Sequence, residues 1–387
     1  MSKIRLHIPG VPHTITRPEF SNCAYAGKVL RFAPMMRSRG FEVYHYGVET
    51  SESGADVQIE LMTKAEWNDL RIASYKYLHP KMDEETILKR MEDPTTFIGE
   101  LANWDTPIWV EFNKRLAVAL KANYRSTETD IFCMPLYRYS AVDNMDIVLV
   151  ESGIGYDNPG SRFRVFESYA WMHKHMKVSD NYWFVVPNYF NIAEWPLSLT
   201  PKVDTVGFLG RICERKGCYE IVEIAKKFPT VRFVLCGQGD PKPFMTQPNI
   251  VYKPPITGKE RGDFLGTLKA ALAPSQFIEP FCGAAVEAQL CGTPVMTKDY
   301  GATTETIENF KTGLRCHTLM DYCYGIQMAL DDKFDRKYIH DRAVSLYDMY
   351  NVARRYEYVF KCILDVHNGK NGWYSPDNYI QILDTAQ

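Results

Sequence analysis

The sequence predicts an α/β chain built as two doubly wound, Rossmann-like domains facing a cleft. Three observations carry this. The 387 residues exceed what one ordinary core organises. Short apolar runs alternate with helical ones along most of the chain, and that alternation implies parallel sheets flanked by helices. The weakly periodic, proline-bearing stretch "YFNIAEWPLSLTPK" interrupts the rhythm, which divides the chain into domains at 1–198 and 199–364.

The elements follow in order. "IRLHI" is a short strand, "PGVPHTITRPEFSN" a loop of prolines and turn formers, "CAYAGKVLRFAPMMRSRG" a helix closed by glycine, and "FEVYHYGV" a strand, giving a βαβ unit. Residues 54–106 hold polar helical pieces without a clear order, with "ANWDTP" a helix start capped by Asp105 or Thr106. "PIWVEFNKRLAVALKAN" is an amphipathic helix opened by proline. "DIFCMPL" and "MDIVLVES" read as buried strands, "RFRVFESYAWMHKHM" as a helix, and "YWFVVPN" as the last strand of this half. Beyond the linker come strand "DTVGFLG", helix "KGCYEIVEIAKKF", strands "VRFVLCGQG" and "NIVYK", helix "ERGDFLGTLKAA", strand end "LAPS", helix "GAAVEAQLCG" and strand "TPVMTKD".

A net charge of -2 gives no footprint for a dedicated polyanion binder. The ten cysteines are scattered without a CxxC pair, so neither a zinc site nor a redox motif is indicated, and reduced thiols in a reducing compartment are expected. "MSKIRLHIPG" lacks the apolar stretch of a signal peptide, and no run approaches the roughly 18–20 apolar residues of a membrane span. A soluble, cytoplasmic protein is the expectation.

In doubly wound sheets, ligands gather beyond the carboxyl ends of strands. Four such loops in the second half carry telling residues. In "GFLGRICERKG", Gly210 lets the backbone turn, and Arg211 and Lys216 set two cations beside a helix start, an arrangement that suits a diphosphate. In "LCGQGDP", Gly237 and Gly239 form a tight turn able to approach a base or ribose. "SQFIEPFCGAAVEAQLCGTPV" holds Glu279 on a loop and Glu287 about one turn into a helix, with no lysine or arginine inside the stretch. Two carboxylates placed so would accept hydrogen bonds from sugar hydroxyls. In "KDYGATTETIENFKTG", Thr303 and Thr304 enrich a strand-to-helix turn with hydroxyls, and Glu305 opens the helix, a position that capping alone would also explain.

Taken together, these motifs resemble the nucleotide-sugar-binding domain of retaining GT-B glycosyltransferases, the family 4-like group of glycosyl transferases group 1. "GRICERKG" matches the family's G-R-x(4)-K-G, "EPFCGAAVE" its E-x(7)-E, "CGTPV" its strand entry, and "YGATTE" its G-G-x-x-E turn with Ala302 in place of the second glycine. "YNVARRYEYVFKCI" resembles the terminal helix that crosses back onto the first domain, and residues 365–387 are assigned to that return. The resemblance implies roles. Arg211 and Lys216 would neutralise a diphosphate leaving group, Glu279 would hold hydroxyls of the transferred sugar, and Glu287 the ribose. The segment Pro280, Phe281, Cys282 and Gly283 would touch sugar or phosphate. It implies no cofactor and no divalent metal, a nucleoside diphosphate sugar as donor, and retention by front-face attack assisted by the leaving phosphate.

The first half is expected to set the acceptor, whose class (glycan, lipid, small molecule or modified nucleic acid) the sequence leaves open. His13 and Thr14 sit on the loop after the first strand. "ESGIGYDNPGSR" offers Gly153, Gly155, Tyr156 and Asp157 after another. His173 and His175 diverge on a helix and suit no metal. Two further readings stay open: transfer to a hydroxylated DNA base, suggested only by the cationic run "SRFRVFESYAWMHKHMK", and a non-catalytic sugar- or nucleotide-binding protein of the same fold.

Overall fold

The computed structural model describes residues 3–369 apart from 22, 94–97, 135–139, 144, 177–181 and 201–203, so most of the 365–387 segment lies outside the described residues. The first domain is built on strands β1 (Arg5–Pro9), β2 (Glu42–Val48), β3 (Val57–Met62), β4 (Asp130–Cys133), β5 (Val148–Ile154), β6 (Phe163–Phe166) and β7 (Trp183–Val185). All pair in parallel, in the order β3-β2-β1-β4-β5-β6-β7. Its helices are α1 (Ala24–Ser38), α2 (Lys64–Leu78), α3 (Glu84–Glu92), α4 (Pro107–Asn123) and α5 (Tyr169–His175).

The second domain repeats the plan with β8 (Thr205–Leu209), β9 (Arg232–Cys236), β10 (Ile250–Lys253), β11 (Ala270–Ala273), β12 (Val295–Lys298) and β13 (Gly313–Cys316), ordered β10-β9-β8-β11-β12-β13. Around it stand α6 (Cys218–Ala225), α7 (Lys259–Gly266), α8 (Gly283–Leu290), α9 (Thr303–Thr306), α10 (Leu319–Leu330) and α11 (Arg336–Tyr347), followed by the long α12 (Met349–His367). Both sheets carry helices on both faces, as parallel strands with two apolar faces require. In the second, α6 and α10 cover one side with Ile221 and Ile326, while α7, α8 and α11 cover the other with Leu265, Val286 and Ala343. Among the described residues, no helix is long and apolar enough to cross a membrane.

The structure departs from the sequence reading in places. "RFRVFESYAWMHKHM" is not one helix: Phe163–Phe166 forms β6, and Ser168 then caps α5, its Oγ accepting from Trp171 N at 3.1 Å. The Phe-Arg-Val-Phe alternation was the strand signal, with Phe163 and Val165 in the core. Residues 270–271, read as helix, open β11. Thr106 occupies the cap position of α4, but its hydroxyl donates to Asn103 O instead of capping. In the unread 54–106 region, α2 carries a legible signature, the reciprocal cap of Thr63 and Glu66.

The domain crossings also fall elsewhere. The chain leaves the first core at Tyr189 and enters the second at Phe190, ahead of residue 199. It returns at Asp348, and α12 buries Val352, Tyr356, Phe360 and Ile363 in the first domain. The two crossings pair with each other, Phe190 N donating to Tyr347 O and Met349 N to Phe190 O, each at 2.9 Å. Phe360 is fully buried against Phe32, Phe41 and Tyr356. Phe360→Ala should therefore lower stability by about 3–5 kcal/mol in chemical denaturation.

Candidate active site

In the second sheet the strand order reverses between β8 and β11, which opens a crevice between the loops that follow them. The first loop carries Arg211 and Lys216, the second Ser275 and Glu279. Topology thus unites residues 63 positions apart: Lys216 Nζ donates to Glu279 Oε1 at 2.6 Å, and Ser275 Oγ donates to the same oxygen at 2.5 Å. Glu279 is 5% exposed. Glu287, on α8, is paired with Arg261 from α7. The expectation that these acids lack cations is corrected here. Partners are absent nearby in sequence, but the fold supplies one to each from a different element.

The pairing is one-sided. Lys216 and Ser275 both use Oε1 of Glu279, and Arg261 binds Oε2 of Glu287. Among the described residues no hydrogen bond engages the other carboxylate oxygen of either acid, and both acids line a cavity of about 340 Å³ between the domains. The second-domain wall continues through Pro280, Phe281, Cys282 and Gly283 to α8, whose N-terminus has no side-chain cap. Cys282 there adopts φ 65°, unusual for a side-chain-bearing residue. Lys216 also lies 4.8 Å from the centre of the Phe277 ring, and Arg215 3.9 Å from it. Arg211 is exposed on the same loop.

Backbone contacts lock this rim. Gly210 N donates to Cys236 O and Ile212 N to Gln238 O. A Cβ on Gly237, at φ 145°, would lie 1.9 Å from Gly210 O, so this turn tolerates only glycine. Gly239 continues the turn, beside Ile212 O. The YGATTE turn backs Glu279: Gly301, at φ 70°, packs against Glu279 N, and Ala302 N donates to Glu279 O. Ala302 itself is right-handed at φ -62°, so its alanine carries no strain. The hydroxyls of Thr303 and Thr304 bind within the turn, Thr303 Oγ1 2.7 Å from Lys298 O and Thr304 Oγ1 2.8 Å from Gly301 O. Glu305 caps a helix of the other domain, its carboxylate accepting from Tyr169 N and Ala170 N at 3.0 and 2.7 Å. Ser168 Oγ donates to Pro280 O at 2.7 Å alongside.

The first-domain wall differs from expectation. His13 and Thr14, 6% and 2% exposed, are buried beside Trp109 and Cys23 and do not line the cavity. Val11 and Ile15 draw the loop into the core under α4, and Trp67 Nε1 donates to Pro12 O. Burial pushes the His13 imidazole down to about 4, with Arg71 adding to it. In the "ESGIGYDNPGSR" loop, Gly155 lines the cavity, and the Gly153 carbonyl accepts from Lys28 Nζ at 2.9 Å. Tyr156 donates to Glu151, and Asp157 is held below the usual carboxylate range by its bond from Lys174. His175 also pairs with Asp157 and packs on Trp171.

Sequence reasoning missed Lys28, Arg31, Glu167 and Arg261. Lys28 and Glu167 form a buried ion pair on the cavity's first-domain side. Glu167 was hidden by the helical reading of β6. Lys28 and Arg31 had a signal, the i, i+3, i+4, i+7 spacing of Ala24, Gly27, Lys28 and Arg31 on α1. The cations of the SRFR…HKHMK run within the described residues are largely engaged: Arg162 sits on the Tyr182 ring, Arg164 bonds Met176, and Lys174 binds Asp157. No group of three or more His, Cys, Asp or Glu side chains suited to a metal occurs among the described residues, and all ten cysteines are free thiols.

Residues 193–343 match the family model described as glycosyl transferases group 1. That stretch of the second half is therefore similar to a group 1 glycosyltransferase domain. The D-inositol 3-phosphate glycosyltransferase of Mycobacterium sp. (strain KMS) is 28% identical over 155 residues, 36% of this chain and 35% of the relative. The match thus spans about a third of that relative's length. Solved structures extend the likeness across both domains. A glycosyltransferase from Rickettsia africae superposes with a TM-score of 0.65 at 15% identity, covering 94% of this chain and 99% of its own. Anabaena HepE in complex with UDP-glucose gives 0.62 at 13%, covering 92% and 99%. The overall fold is accordingly the two-domain GT-B fold, and the stretch that matches the group 1 model supplies the Lys216–Glu279 rim.

Two outcomes follow. Gly237→Ala should destabilise the second domain by at least about 2 kcal/mol in urea titration, since the clash is with backbone. Unfolded histidine protonates near pH 6.5, whereas folded His13 and His45, the latter fully buried in β2, resist to about 4 because burial disfavours their charge. The unfolded state therefore binds more protons across that window, and stability should fall as pH drops from about 6.5 toward 4. His13→Asn should flatten the fall.

Proposed function

We propose that this chain is a retaining glycosyltransferase, moving a sugar from a nucleoside diphosphate sugar to an acceptor hydroxyl without a divalent metal. The observation that carries the reading is the one-sided neutralisation of Glu279 and Glu287 on the cleft rim of a group 1 domain. A carboxylate with one oxygen fixed by a cation and one open to the cavity is oriented to accept a sugar hydroxyl. Lys216 has three N–H donors, so it can keep its bond to Glu279 while meeting a phosphate oxygen. With Arg211 and the free N–H groups opening α8, it would neutralise charge developing on the leaving diphosphate, the work a metal does elsewhere. Glu279 would hold the transferred sugar, and Glu287 the ribose. Retention would follow from front-face attack, with the departing phosphate receiving the acceptor's proton. HepE was solved with UDP-glucose, which makes a uridine donor the first to try. The DNA reading gains nothing, since the cations that suggested it largely bind Asp157, Met176 and aromatic rings.

A UDP-, GDP-, ADP- or dTDP-sugar that binds the native state should raise its melting temperature; no shift with any of them would sink the reading. Lys216→Ala and Glu279→Ala should each cut turnover about 10²–10³-fold with circular dichroism unchanged. Activity should persist in EDTA, and strict dependence on added Mg²⁺ or Mn²⁺ would remove the metal-free mechanism.

A further inference from the structure

The cavity between the domains has a charge that the proposed donor chemistry does not use. Ala24, Gly27, Lys28 and Arg31 line it from one face of α1. Two of the lining cations are matched, Lys28 by Glu167 and Arg261 by Glu287. Arg31 is not. Its guanidinium carbon lies 5.5 Å from the centre of the Phe190 ring, and its Nε is buried without a hydrogen-bond partner. Among the described residues no carboxylate pairs with it, Glu194 of the same lining included. A buried N–H left unmet is unfavourable, and a planar guanidinium fits the paired oxygens of a phosphate or carboxylate. Asn188, whose Oδ1 accepts from Tyr189 N, brings two N–H donors to the cavity lining, and Ser21 brings a hydroxyl.

We propose that the acceptor carries an anionic group, phosphate or carboxylate, that docks on Arg31. This rests on the glycosyltransferase reading, because it takes the donor to occupy the Lys216–Glu279 rim. The anion would anchor the acceptor on the first-domain wall, so that a neighbouring hydroxyl faces the sugar held by Glu279. The acceptor would be a small phosphorylated or carboxylated polyol, or the end of a larger molecule bearing one.

The test is a ligand-observed NMR titration of the full chain, with and without saturating UDP, using three matched probes: glycerol, D-glycerate and sn-glycerol 3-phosphate. At least one anionic probe should bind UDP-loaded protein at least tenfold more tightly than glycerol, and the tighter of the two identifies the anion. Arg31→Gln should weaken that probe at least tenfold and leave UDP affinity within twofold, whereas Arg31→Lys, which keeps the charge, should retain most of the binding. Equal binding of the anionic probe to Arg31→Gln and wild type, or no preference over glycerol, would overturn the proposal. An equal loss of UDP affinity would overturn it too, by assigning Arg31 to the donor diphosphate. Failure of UDP to bind wild-type protein would count against the donor reading alone, because the titration without UDP still reports on Arg31.

Discussion

The contact between Lys216 and Glu279 joins the two loops that flank the reversal of strand order in the second sheet. A carboxylate at 5% exposure is costly unless its charge is met, and here an ammonium and a hydroxyl meet it at one oxygen. The geometry around it is correspondingly over-determined. A side chain at Gly301 would crowd its backbone nitrogen, Ala302 N donates to its carbonyl, and Ser168 of the first domain holds the next residue's carbonyl. A group fixed from that many sides would present its remaining oxygen without further reorganisation, which suits the proposed recognition of a hydroxyl.

The same neighbourhood couples the domains. Glu305 caps α5 and Ser168 bonds Pro280, so residues read from sequence as donor contacts or as part of a helix instead bridge the cleft in this conformation. Ile278 extends the bridge by packing against the cluster of Ile154, Phe166 and Trp171. The cavity is thereby enclosed by both domains, and its chemistry divides between them: matched acids on the second-domain side, an unmatched guanidinium on the first.

Much of this was legible. The helix of residues 107–123 and the strands of the second half follow from period and punctuation, and the spacing of Arg211, Lys216, Glu279 and Glu287 marked the rim. What was not legible depends on contacts distant in sequence. No local pattern tells that Arg261 reaches Glu287 across 26 residues, or that Glu305 serves a helix whose first residue lies 136 positions earlier. His13 looked like a cleft residue because it follows a strand, but Val11 and Ile15 on the same loop were the stronger force and pulled it under α4. Glu167 was lost to a period misread, since an aromatic-rich, cationic run fits a helix and a strand almost equally well.

The paired crossings at Phe190 and Met349 bear on how material enters the cavity. Two covalent connections tied edge to edge behave like a strip of tape: they fold about one line and resist twisting. Relative movement of the halves would then favour a swing about that line, with the Glu305 and Ser168 bonds as its catch. Admitting a substrate would require undoing only a few hydrogen bonds, and closing again would return Glu279 and Arg31 to the same separation each time.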